Sequence, residues 1–95
     1  MISVGTSNGS VVTTSISYIM EPGDFMVIAD TDGIAITLPT ASSSASSTYE
    51  IKNTSEGAIT VNTTSGQTID GELSLSLYSY ENLTVTSNNA NWLVL

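Results

Sequence analysis

Cysteine, histidine and arginine are missing from this chain of 95 residues, and its only basic side chain is Lys52. Without Cys there is no disulfide, no thiolate metal site and no thiol nucleophile. Without His and Cys, no Ser-His or Cys-His pair can form, so the many serines have no base to activate them. Lys52 lies opposite Glu50 on what reads as the solvated face of a strand, an ordinary place for a lysine and not the desolvated pocket of a Schiff-base amine. Nine acids against one base give a formal net charge of −8, yet only 11% of residues are charged, so the acidity comes from missing bases. No basic stripe can be built for phosphates, which excludes nucleic acid as a partner, and an anionic membrane surface would repel the chain. No apolar run approaches the roughly 20 residues that span a bilayer. The first twenty residues lack a basic region followed by an unbroken apolar one, so no signal peptide is expected.

What is present is alternation. Hydrophobic residues make up 40% of the chain, enough for a modest core. Their period is two almost everywhere, and no segment holds a helical period. Val11 to Ile19 reads as a first strand with Val12, Ile16 and Tyr18 on one face. Phe25 to Ala29 is apolar on both faces, as a strand covered on both sides would be. Ile34, Ile36 and Leu38 alternate and end at Pro39. Tyr49 and Ile51 point inward between Glu50 and Lys52, and Ile59 with Val61, Leu73 with Leu75 and Leu77, and Leu83 with Val85 repeat the pattern. Trp92 to Leu95 is the last strand. Turn chemistry separates these runs: Glu21-Pro22-Gly23-Asp24, Asp30-Thr31-Asp32-Gly33, Asn53 to Gly57, Ser65-Gly66, Asp70-Gly71 and Ser87 to Asn91. Ala41 to Ser47 reads as a small-residue surface loop with nothing to bury. The expected fold is all-β: one small antiparallel β-sandwich or barrel of about seven to nine short strands, with residues 1–21 as an N-terminal arm plus first strand and residues 22–95 as the β-domain. No internal repeat is evident.

Candidate chemistry is sparse. Paired carboxylates occur at Glu21 with Asp24, Asp30 with Asp32, and Asp70 with Glu72, all in turns where acids are common. Asp30 and Asp32 match part of a calcium loop, but the glycine falls at the wrong position and no Glu closes the site, so a turn is the expected role and cation binding the alternative. No enzyme activity and no cofactor is expected. Four sequons, at Asn8, Asn53, Asn62 and Asn82, are ordinary in a chain this rich in Asn, Ser and Thr. Tyr18, Tyr49, Tyr78, Tyr80 and Trp92 are expected to serve core or interface packing more than sugar stacking.

Two features point to assembly. The final strand is apolar on both faces, where a frayed tail would be polar. The chain also lacks the lysines that commonly guard sheet edges, and subunits that cover one another's edges would resolve this. Phe25, Val27, Ile34, Ile36, Leu38, Trp92 and Val94 are the residues expected in the core or an oligomer interface.

The segments GDFMVIAD, DGIAITLPTA, TYEIKN, GAITVNTTSGQTIDG and YENLTVTSNNANWLVL follow one another from Gly23 to Leu95. In that order they resemble a small β-module of tailed-phage virion proteins, of the fibre and head-decoration type. The resemblance implies a homotrimer on the virion surface, a non-enzymatic capsid decoration or head-fibre subunit whose partners are its own copies and other virion proteins, such as the major capsid protein or tail proteins. Ile2 and Val4 would then belong to an attachment arm. The alternative is a tail-fibre or receptor-binding tip that recognises host surface glycans.

Overall fold

The computed structural model describes residues 10–43 and 47–95. Nine strands form among them: β1 (Ser10–Thr14), β2 (Tyr18–Ile19), β3 (Asp24–Ala29), β4 (Ala35–Thr37), β5 (Thr48–Asn53), β6 (Ile59–Asn62), β7 (Ser74–Leu77), β8 (Asn82–Ser87) and β9 (Trp92–Val94). They make two sheets, ordered β1-β3-β5-β8-β9 and β2-β4-β6-β7. The chain changes sheet after each of the first five strands. As a result β1, β3 and β5 stack in parallel in one sheet, and β2, β4 and β6 stack in parallel in the other. The first six strands are therefore coils of a short, flattened solenoid. The far end is finished differently, because β7 returns antiparallel to β6, β8 runs antiparallel to β5, and β9 runs antiparallel to β8.

The all-β, two-sheet, sandwich-like architecture is as the sequence indicates, but the expected antiparallel pairing holds only at the closing end. Parallel neighbours need a crossover, ordinarily a helix. Here each crossover is itself a strand of the opposite sheet. Parallel sheets usually read as unbroken apolar runs because both faces are covered. In this chain each sheet buries one face and wets the other, so its parallel strands alternate just as antiparallel ones would.

Inward rows meet across the layers. Val12, Val27, Ile51 and Leu83 are successive partners in the larger sheet, and Tyr18, Ile36, Val61 and Leu75 in the smaller. Val27, Ile36, Leu38 and Trp92 are fully buried as expected, and Ile34 packs against the same cluster. Trp92 lies edge-on to Tyr49, with ring centroids 5.5 Å apart, a contact worth about 1 kcal/mol beyond the area it buries. The polar tips of both are satisfied: Trp92 Nε1 donates to Pro39 O at 3.3 Å and Tyr49 Oη to Pro22 O at 2.9 Å. The last strand is tied down in the sheet, with Leu95 N donating to Thr84 O and Val94 N to Asp70 Oδ1.

Local departures from the expected pattern have identifiable causes. Val11 to Ile19 is not one strand. The Thr14 hydroxyl accepts the Ile16 N–H and donates to the Ile16 carbonyl, so Ser15–Ser17 bends across to the second sheet and Ile16 is turned out to solvent. Phe25 is not in the core. The register slips between Ser10 opposite Asp24 and Val11 opposite Met26, which makes Phe25 the extra residue of a β-bulge and leaves it 46% exposed. Val94 has the parity of Trp92 but lies on the edge strand and is 38% exposed. Ala41 does have something to bury: it is fully enclosed in a single 3₁₀ turn (Ala41–Ser43). Its N–H donates to Gln67 Oε1, and its carbonyl accepts from the Ser87 hydroxyl. Asp70-Gly71 forms the expected tight turn, with φ of 49° and 89° and reciprocal Ile69–Glu72 backbone bonds of 2.7 and 2.9 Å.

Candidate functional site

The region with the most side-chain organisation outside the core is the corner where β5 ends and β7 crosses to β8. At its base is Asn53, completely buried. Inward parity continues from Tyr49 and Ile51 to Asn53, so its amide enters the core, where every polar atom needs a partner. Asn53 Nδ2 donates to Gly57 O at 2.8 Å and to Leu77 O at 2.9 Å. Its Oδ1 accepts Ser55 N at 2.8 Å and Ser55 Oγ at 2.6 Å. One amide thus joins the end of β5, the following turn and the end of β7. The sequence pattern reads Asn53 as the start of a turn, while the parity of Tyr49 and Ile51 is the signal for its burial.

Above Asn53 sits the turn Tyr78–Glu81. Glu81 N donates to Tyr78 O, and Tyr78 N donates to Glu81 Oε1 at 2.8 Å, closing the turn through both backbone and side chain. Tyr80 N donates to Asn53 O at 2.7 Å and Asn53 N to Glu81 O at 3.0 Å, while Ser79 Oγ donates to Ser55 O at 2.6 Å. Lys52 Nζ donates to Tyr80 O at 2.7 Å and lies 5.8 Å from the centre of the Tyr80 ring. The rings themselves contribute little burial: Tyr78 is 60% and Tyr80 64% exposed. Tyr80 also has φ of +62°, a left-handed conformation that costs an ordinary L-residue roughly 1–2 kcal/mol. Its cation–π contact with Lys52 returns about 0.5–1 kcal/mol at an exposed site. Tyr78 and Tyr80 therefore lie outside the core, on a turn closed by hydrogen bonds.

The paired carboxylates are structural where their partners are visible. Asp24 is nearly buried, and its Oδ2 accepts the Tyr18 hydroxyl at 2.7 Å and Glu21 N at 2.9 Å, fixing the turn before β3. That hydrogen bond, with burial and the nearby negative charge of Asp24 and Glu21 adding to it, pushes the Tyr18 pKa up to about 12. Asp70 Oδ1 holds the last strand through Val94 N. Asp30 Oδ1 accepts from the Ser15 and Thr31 hydroxyls, and Asp32 lies directly over Gly57. Among the described residues no group of three acidic side chains converges in a way that would hold a metal ion.

The second feature is the open end of the solenoid. Among the described residues nothing pairs with the outer edges of β1 and β2. Val11 and Ile19 there are exposed, as is Phe25 on the neighbouring strand. From Ser10 onward the N-terminal segment is part of both sheets, with Met20 in the core; Ile2 and Val4 lie outside the described residues. The chain matches no family model, no curated protein and no solved structure in comparisons with known proteins.

Proposed function

We propose that this chain is a non-enzymatic structural subunit that assembles with its own copies, as a homotrimer, on the surface of a virus particle, in a capsid decoration or head-fibre role. The observation that carries the assembly half of this reading is the open end of the stack. Among the described residues the edge strands β1 and β2 have no outer partner, no lysine or arginine guards them, and Val11, Ile19 and Phe25 are exposed beside them. An unprotected edge of this kind pairs readily with another chain, and closed symmetry among identical copies limits that pairing to a finite particle. The virion half is supported by the ordered motifs from Gly23 to Leu95, and partners among capsid or tail proteins belong to the same reading.

Sedimentation equilibrium of the purified chain tests the first half: a single species at three times the mass of the 9.9 kDa chain is expected, and a monomer at tens of micromolar overturns it. Cryo-electron microscopy of the particle tests the second. Density for the domain on the outer shell is expected, and its absence from particles, or a location only inside them, refutes the reading.

A further inference from the structure

We infer that the Tyr78–Glu81 corner is a binding site for a neutral sugar, in which the exposed faces of Tyr78 and Tyr80 stack on a pyranose ring. The two rings stand outside the core. Neither is needed to fill the core, since both are largely exposed. The backbone at Tyr80 is left-handed, a conformation that Asn or Gly adopts far more easily than a bulky aromatic residue. The other non-glycine residues with positive φ among those described are Ser65, Asp70 and Asn89, all small and polar. The contact of its ring with Lys52 offsets only part of that cost, so a tyrosine here is a poor choice for the fold alone, and its ring also holds flat apolar surface out to solvent.

The corner is also prepared for a ligand. The turn is pinned to Asn53, Ser55 and Lys52 by hydrogen bonds, so little ordering is lost on binding. Aromatic faces supply stacking surface at low entropic cost. Glu81 lies in the same turn, one of its carboxylate oxygens accepting Tyr78 N, and the exposed Asn82 follows it; a carboxylate and an amide are groups that suit sugar hydroxyls. The choice of a neutral ligand follows from charge. Lys52 is the sole base in a chain of net charge −8, and its ammonium is already engaged by Tyr80 O, so a polyanion would be repelled. This inference does not rest on the virion reading and holds for the purified chain in solution.

The test is a titration of the isotopically labelled full chain, followed by amide chemical shifts, with a panel of neutral hexoses and the disaccharides built from them. Shifts concentrated at Lys52 and Tyr78–Asn82 are expected, saturating with a Kd on the order of millimolar, as befits one or two stacked rings. Tyr80→Asn should weaken binding about tenfold or more, while its melting temperature is unchanged or raised because Asn relieves the backbone. Tyr78→Ala should weaken binding similarly. Three outcomes overturn the inference. One is no shift at the corner across the panel at tens of millimolar sugar. Another is binding that survives Tyr80→Asn. The third is the same shifts appearing on concentrating the chain without sugar, which would make the corner a contact between copies.

Discussion

Replacing Asn53 probes the polar hub directly. In Asn53→Ala the carbonyls of Gly57 and Leu77 each lose the Nδ2 donor and Ser55 loses an acceptor for both its N–H and its hydroxyl. The Ser55 hydroxyl keeps a bond to Gly57 O at 3.0 Å, which softens the loss. A buried group left unsatisfied costs about 1–3 kcal/mol. With partial relaxation and one retained bond, the total is about 3 kcal/mol, a large part of the 5–15 kcal/mol available to a small domain. At about 4–8 °C per kcal/mol for a domain of this size, the melting temperature should fall by roughly 12–24 °C. Urea unfolding followed by fluorescence of the buried Trp92 reads the change as a drop in midpoint at constant slope. Asn53→Asp separates hydrogen bonding from size. Its carboxylate would face the Gly57 and Leu77 carbonyls with no proton to donate, so burial and carbonyl repulsion hold its folded pKa above the unfolded value of about 3.9. The destabilisation relative to wild type is then smallest below that pH and grows as pH rises through the folded pKa. A loss under about 1 kcal/mol in Asn53→Ala, or a deficit in Asn53→Asp that does not change between pH 4 and 7, would refute the view that this amide holds three segments together.

Further perturbations test other contacts. Tyr18 is held protonated against Asp24, so its contribution to stability is complete below pH 10, where the unfolded phenol is also neutral, and is lost as pH rises towards about 12. Tyr18→Phe should remove the late phenolate absorbance step and flatten this alkaline decline. In Gly57→Ala the new Cβ would lie 2.7 Å from Asp32 Oδ2 and 2.9 Å from Asp32 Cβ, so a loss of about 1–2 kcal/mol is expected by thermal melting, and most of it should be absent when the change is made in an Asp32→Gly background. Trp92→Phe removes the bond to Pro39 O and leaves a void beside Tyr49; a loss of about 2–3 kcal/mol by circular dichroism is expected, and a loss under about 1 kcal/mol would show that the site repacks.

Inward and outward faces were legible in the sequence, because a strand with one wet side must alternate whatever its neighbours do. Ile36 and Leu38, Tyr49 and Ile51, Ile59 and Val61, and Leu83 and Val85 are all buried as that rule requires. The turns at Glu21–Asp24 and Asp70-Gly71 were legible from their residues. Strand order was not. Met26 lies beside Val11 on one side and Glu50 on the other, at unequal separations along the chain, so the coils leave no repeat to find. Alternation carries no information on parallel against antiparallel pairing. The bulge at Phe25 and the bend at Ser15–Ser17 depend on register and on a single threonine hydroxyl, which periodicity does not encode. At the candidate site, the two tyrosines are visible in the sequence as aromatics two residues apart, but their exposure depends on the Asn53 hub drawing the backbone into a turn.

The mixed architecture has a consequence for how the chain reaches its native state. The β8–β9 pair closes through the short Ser87–Asn91 connection, whereas every parallel seam must first bring together segments separated by an entire intervening coil. Loop-closure entropy is therefore met late at the seams and early at the hairpin. Folding should begin at the C-terminal hairpin and proceed by docking coils onto it, against the direction of synthesis, with rates on the order of milliseconds to seconds. Substitutions in β8 and β9 should then slow folding, while those in β1 and β2 should mainly speed unfolding.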